Sequence, residues 1–276
     1  MRAREPAAAP RDSLDLRALR DGGRREIPWD SPVDPSLTPE ARRLVGEAWR
    51  ARWTQEHLAV GAFSLLALEV AQMGCDSVLL ALFTRAAVDE ARHADICRRL
   101  AARHLGEAAV AARARGVPAF AAYPDRTPEQ RALLHVVEMC CLNETFTGAY
   151  FTEMIERTTD PLALTAVESL LEDEIDHGRV GWAYLAAARR DGHTAILDTA
   201  LPGLLVETVK PVMDEAEAYP DRDDPEKEAH AYLGTHAARA VYSRTLERVI
   251  LPGFEAIGVD TRAARALAAR EGWLGH

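Results

Sequence analysis

Lysine is nearly missing from this chain. Only Lys210 and Lys227 occur among 276 residues, so almost all positive charge is carried by arginine. Acidic side chains outnumber basic ones 43 to 33, giving a formal net charge of −10, which argues against non-specific nucleic-acid binding. Cysteine is also scarce. Cys75, Cys97, Cys140 and Cys141 form no Cys-x-x-Cys pair, which excludes a zinc ribbon or a four-cysteine iron site and leaves reduced thiols of a cytoplasmic protein as the expectation. No apolar run approaches the roughly 20 residues of a membrane span. The Arg-rich start lacks the apolar stretch of a secretory signal, and Arg24-Arg25 is too little for a twin-arginine signal. Aromatics make up 6%, and no alternating strand pattern stands out. Abundant Ala, Leu and Arg favour helix, so the expected class is all-α. Arg-for-Lys and Ala-rich usage also points to a GC-rich bacterial genome.

Breakers divide the chain. Residues 1–37 are rich in Arg, Pro, Ala and Asp without a helical stripe and read as an extended or disordered arm. Thr38-Pro39-Glu40 opens a long helix to about 73, and a second runs from about 76 to 105, ending at Gly106. A connection of about 20 residues follows, with a short helical piece over Glu107 to Arg115 and the breakers Gly116, Pro118 and Pro124. It is long enough to cross the length of a helix bundle. Thr127-Pro128-Glu129 starts a third helix to about 158. Asp160-Pro161 starts a fourth, closed near Arg190 by Asp191-Gly192. Two more helical segments are expected: about 194–218, broken or kinked at Pro202 and Pro211, and one from Asp224-Pro225 to about Ile250, stopping before Pro252. A short C-terminal helix or tail is expected over 258–276, with Asp260-Thr261 as its helix start; residues 38–257 are expected to form a single helical domain with its bundle core at about 39–190.

The informative feature is a duplicated pattern. Asp89-Glu90-Ala91-Arg92-His93 and Asp173-Glu174-Ile175-Asp176-His177 share the form Asp-Glu-x-x-His. Glu56 lies 34 residues before Glu90, and Glu144 lies 30 before Glu174. One Glu-x-x-His alone is a weak signal; two with a preceding Asp and matched upstream glutamates are far more specific. Residues three apart share a helix face, so Glu90 with His93, and Glu174 with His177, can each reach one ion. The midpoint of each half falls on a turn signal, near 73 and 159, so each lone Glu is level with its partner motif in an antiparallel pair. Glu69 is too close to the first turn to serve. A four-helix bundle holds two metal ions with this set: one Glu from each of two helices and Glu-x-x-His from each of the others. Four carboxylates also balance the four positive charges of two divalent ions.

Neighbouring positions extend the reading. Asp89 and Asp173 lie four before a His and are expected to accept its ring N–H, orienting the ligand. Arg92 is expected to bind such a carboxylate. Asp176 replaces it in the second copy, and either pairs with Arg92 or faces water. Helical spacing from the ligands places Phe63, Cys97, Cys140, Thr147, Phe151, Gly178 and Gly181 around a substrate pocket, tight packing being the alternative at each. Tyr184 and Trp182 are read as core, with a redox role as the alternative. His230 or His236 could cover the site from the added helix.

The paired Glu…Asp-Glu-x-x-His pattern over residues 50–190 resembles the ferritin-like di-iron carboxylate superfamily, whose members include ribonucleotide reductase small subunits, desaturases, monooxygenase hydroxylases, rubrerythrins and ferritins. Asp89-Glu90-Ala91-Arg92-His93 is similar to the form seen in the desaturases and hydroxylases; the second copy departs from it at Asp176. The resemblance implies a ferritin-like four-helix bundle with additional C-terminal helices. It implies two Fe ions, with Mn/Fe or di-Mn as alternatives, and O2 activation. Glu90 and Glu174 would bridge, and Glu56 and Glu144 would be terminal ligands. About 85 residues beyond the fourth helix could wall off a small organic substrate, which favours an oxidase or monooxygenase. Electrons would come from an external reductase or the substrate. A homodimer is compatible with this reading. The competing expectations are a ferroxidase and a non-catalytic helical interaction protein with a relic site.

Overall fold

Capping residues place the long helices where the breakers mark them. The structure is a computed structural model that describes residues 25–111, 116, 120–190, 192–218 and 224–275. Helix α1 spans Pro39–Gln72, with the Thr38 hydroxyl accepting from the Ala41 N–H at 3.3 Å. Helix α2 spans Ser77–Leu105; Asp76 accepts from the Val78 N–H at 2.8 Å, and Gly106 ends the helix at φ 87°. These two pack along their lengths as a hairpin. After a 3-10 turn at Glu107–Val110, Thr127 and Gln130 form a reciprocal capping box. A third rod follows as α3 (Pro128–Val136), a π-helical turn (Val137–Asn143) and α4 (Glu144–Arg157). The fourth rod is α5, Pro161–Arg190, begun by Asp160, whose carboxylate accepts from the Ala163 N–H at 2.8 Å. It packs against both α4 and α2. All regular elements among the described residues are helical, and none is long and apolar enough to cross a membrane.

The C-terminal region departs from expectation in three places. A 3-10 turn (His193–Ile196) leads into α6, Leu197–Thr208, which runs through Pro202 without ending. The break comes instead at Val209, and α7 (Lys210–Ala218) carries Pro211 in its first turn, where a missing N–H costs nothing. Asp224-Pro225 opens only one turn, α8 (Pro225–Glu228). The Ala229 carbonyl then accepts from the N–H groups of Thr159 (3.1 Å) and Asp160 (2.8 Å), so it serves the α4–α5 turn rather than a longer helix. Ala231 adopts φ 57°, and α9 begins only at Thr235, ending at Thr245. Pro252 does not stop the chain. A second π-helical turn, Leu246–Ile250, relaxes the ladder ahead of it, and α10 (Leu251–Ala256) continues the helix. The last helix, α11, is Arg262–Arg270, with Thr261 at its N-cap. Of the N-terminal arm, residues 1–24 lie outside the described residues, as do 112–115, Pro118 and Asp191; residues 25–38 carry no regular helix or strand.

Apolar side chains form two clusters along the four rods. Val45, Trp49, Leu100, Phe151, Leu162 and Leu170 belong to one; Phe63, Leu66, Phe83, Val136, Cys140 and Val180 belong to the other. On every rod the sequence position between the two clusters is occupied by the motif residues: Glu56 on α1, Glu90 and His93 on α2, Glu144 on α4, Glu174 and His177 on α5. A third cluster, including Leu142, Leu185, Leu201, Leu205 and Phe254, joins the C-terminal helices to the third and fourth rods.

Close approach of α5 to the π-helical turn depends on Gly181. A Cβ there would lie 2.3 Å from the Cys140 Cβ and 3.0 Å from its carbonyl carbon. Gly181→Ala should therefore destabilise the fold by about 1–3 kcal/mol, measured by denaturant unfolding. Gly203→Ala, in α6 with nothing within 4 Å of the new Cβ, should be neutral or stabilise by up to about 1 kcal/mol.

Candidate metal centre

The four rods bring the six motif side chains into one buried cluster. Glu56, Glu90, His93 and Glu174 offer ligand atoms within 4.8 Å of one another, and so do Glu90, Glu144, Glu174 and His177. Glu90 and Glu174 belong to both groups. His93 Nδ1 lies 3.3 Å from Glu90 Oε2, 3.3 Å from Glu174 Oε1 and 4.0 Å from Glu56 Oε2. His177 Nδ1 lies 2.9 Å from Glu90 Oε1 and 3.5 Å from Glu174 Oε2. All six residues are at most 5% exposed.

These contacts do not satisfy the groups that make them. Both oxygens of Glu90, one of Glu174, and the Nδ1 atoms of His93 and His177 are buried without a directed hydrogen bond. Native interiors rarely leave polar atoms in this state. Lone pairs that converge from two imidazoles and several carboxylates are a donor set suited to divalent metal ions. The residues therefore could hold a metal ion on their own geometry.

The aspartates act across the pair of motifs, not within each. Asp173 Oδ2 lies 3.2 Å from Nε2 of His93, and Asp89 Oδ2 lies 3.7 Å from Nε2 of His177. Each aspartate thus serves the histidine of the other helix. At His93 an Nε2–H donated to Asp173 leaves Nδ1 facing the carboxylates; at His177 the longer separation leaves Nε2 without a directed hydrogen bond. Arg92 binds Asp173 and donates to the Ser169 hydroxyl at 2.8 Å and the Ser169 carbonyl at 3.0 Å. Arg85 joins both aspartates, 3.2 Å from Asp89 and 3.7 Å from Asp173. It belongs to no motif; its place four residues before Asp89 was the only sequence signal. Asp176 pairs with Arg179 at 3.2 Å on the half-exposed surface and does not meet Arg92. Glu69 lies off the cluster, bound to His135 at 2.8 Å.

Charge is distributed unevenly in the metal-free site. Burial, reinforced by the charges of Glu90 and Glu174, pushes the Glu56 carboxyl well up. Burial and Glu174 do the same to Glu144. Burial also opposes ionisation of Glu174, but the neighbouring Glu144, His177 and His93 outweigh this and hold it well down. Both imidazoles are desolvated, yet the surrounding carboxylates raise them well above the ordinary value. The cluster thus favours holding protons on Glu56, Glu144 and the two imidazoles.

One side of the cluster is closed and the other open. Asp89, Asp173, Arg85 and Arg92 seal the histidine side. On the side of Glu56 and Glu144 lies a cavity of about 560 Å³, also lined by Glu90 and Glu174, within the range of small-molecule sites. Its walls include Ala48, Ala51, Ala59 and Ala62 of α1, Thr147 and Tyr150 of α4, and Tyr232, Thr235 and Tyr242 from the C-terminal layer.

Of the expected pocket residues, only Thr147 lines this cavity. Phe63 packs on His177, ring centroids 4.9 Å apart. Cys97 is buried beside Glu56 and Arg52, and Phe151 lies under the Arg52 guanidinium at 4.7 Å. Cys140 and Gly181 pack against each other, and Gly178 faces Thr145 and the Cys140 carbonyl. The small residues that leave space are the α1 alanines. Extrapolating a 3.6-residue period back from Glu144 fails because the π-helical turn intervenes; Glu138, Met139 and Asn143 face the cavity instead of Cys140. His230 packs beside His104 and Asp160, and His236 is exposed, so neither covers the site. Trp182 donates to the Thr145 hydroxyl at 3.1 Å and packs on Phe254, and Tyr184 meets Phe83 edge-on.

Comparison with protein families, curated proteins and solved structures finds no match. The geometry is therefore the ground for any functional reading.

Two outcomes follow for Asp173. Asp173→Asn should weaken divalent-metal affinity by about 10- to 100-fold, measured by competitive chelation, whereas Asp176→Asn should leave it unchanged. Burial opposes its charge, but His93 and Arg92 lower Asp173 from 3.8 to about 2. Its stabilisation, on the order of 2 kcal/mol, is present above the unfolded value and lost as pH falls through the folded one. Unfolding of wild type and Asp173→Asn should differ at neutral pH and converge as pH approaches 2.

Proposed function

We propose that this chain is a ferritin-like di-metal carboxylate protein that uses O2 to oxidise or oxygenate a small organic substrate. The observation that carries this reading is the convergence of buried, hydrogen-bond-deficient ligand atoms from four helices at the floor of a cavity. Glu56, Glu90, His93 and Glu174 would hold one ion; Glu90, Glu144, Glu174 and His177 would hold the other. Glu90 and Glu174, common to both groups, are suited to bridging. When bound, a reduced iron pair supplies electrons to O2 and makes it competent to attack an organic molecule; manganese fits the same donors.

The protein's own residues supply orientation and access. Asp173 fixes the His93 imidazole across the helix pair, and Asp89 faces that of His177. Arg85 and Arg92 hold those aspartates and keep water from the histidine side. The four carboxylates offset the charge of two divalent ions, so the loaded cluster is near neutral in spite of its burial. The cavity along Glu56 and Glu144 gives a substrate its approach. A cavity of this size is more than inorganic iron requires, which favours an organic substrate over a ferroxidase role. Electrons would come from a separate reductase or from the substrate. All four cysteines are free thiols, in keeping with a reducing compartment.

Anaerobic Fe(II) loading tests the assignment. Wild type should bind about two irons per chain, and both Glu90→Ala and His177→Ala should lose most of that uptake while remaining helical. Equal, non-stoichiometric iron in all three proteins sinks the di-metal reading.

A further inference from the structure

The cavity contains a fixed cation whose one carboxylate neighbour belongs to the ligand cluster. Arg52 is the only Lys, Arg or His among the residues lining it. Its guanidinium sits over the Tyr150 ring at 5.0 Å and the Phe151 ring at 4.7 Å, which fixes its position by cation–π contact. Its only ion-pair partner among the described residues is Glu56, with Nη1 3.7 Å from Oε1. That is beyond hydrogen-bond reach, and Glu56 belongs to the ligand cluster. The other cluster arginines are spent differently: Arg85 and Arg92 are tied to Asp89 and Asp173 on the closed side.

The Arg52 side chain is 20% exposed and lines the cavity beside Ala48 and Ala51, its small neighbours on α1. A guanidinium is always charged and matches a carboxylate with two parallel hydrogen bonds. Arg52 is also one helical turn from Glu56, so a group held there lies next to the metal cluster. Two carboxylates outside the cluster, Glu138 and the exposed Glu215, line the cavity as well. Burial pushes Glu138 toward its neutral form, and α7 places Glu215 on the exposed surface.

We propose that Arg52 anchors the carboxylate of the organic substrate, so that the cavity takes small organic acids and presents the carbons next to the carboxylate to the metal cluster. This rests on reading the cavity as the substrate site of the proposed oxidase.

Binding of benzoate, phenylacetate and octanoate to the metal-free full chain, by calorimetry, tests it, with benzamide and benzylamine as neutral and cationic controls. At least one acid should bind wild type better than either control. Arg52→Gln should weaken that binding by about 10- to 100-fold, and Arg52→Lys should fall between the two. Thermal melting checks each fold; should Arg52→Gln unfold, the loss in Arg52→Lys decides. No acid binding at millimolar concentration, unchanged binding in folded Arg52→Gln, or preference for benzylamine overturns the proposal. Iron stoichiometry on the same samples separates the two readings. Two irons without Arg52-dependent acid binding removes the anchor alone; acid binding through Arg52 without iron uptake removes the di-metal reading and leaves an acid-binding site.

Discussion

Everything in this structure is arranged around the cost of keeping four carboxylates out of water. An isolated buried carboxylate is so unfavourable that it takes up a proton or finds a positive partner. Here both occur: Glu56 and Glu144 are driven toward the neutral acid, while Glu90 and Glu174 share charge with two imidazoles. The helices that carry these groups are held by apolar clusters on either side of the polar layer. A buried ionic network of this kind contributes little to stability by itself. Its retention at the centre of the helices is better understood through the ions it can hold.

Much of this was legible in the sequence because it is local. Caps and breakers fixed α1, α2 and α5 within a residue or two, and the antiparallel midpoint argument set Glu56 and Glu144 level with their partners. What escaped were relations that no spacing encodes. The exchange of aspartates between motifs depends on which faces of α2 and α5 meet. Arg85 and Arg52 are single arginines among many, given meaning only by packing. The C-terminal helix began late because a carbonyl at Ala229 was needed by another turn. Cys140 was displaced because a 3.6-residue period does not continue through a π-helical turn, while Phe63, Phe151, Gly178 and Gly181 are taken up by packing.

The two sides of the cluster divide its work. The histidine side is closed by aspartate and arginine, where orientation matters and water is unwelcome. The carboxylate side faces a cavity walled by alanines and capped by tyrosines from the C-terminal layer. The residues beyond the fourth rod thus have a definite relation to the cluster: Tyr232, Thr235 and Tyr242 set the outer shape of the space, while the ligands come entirely from the first four rods.

The π-helical turn at Val137–Asn143 gives the third rod two phases. Upstream of it, α3 presents one set of residues inward; downstream, α4 is rotated relative to an uninterrupted helix, and Glu144 is the first residue past the change. Removing one residue from the turn would restore a continuous ladder and swing one half of the rod by about 100° against the other. The wide turn therefore works as a phase adjuster between scaffold and ligand. Shifting it along the rod is a route by which such a chain could remodel its cavity wall while leaving the buried Glu/His cluster in place.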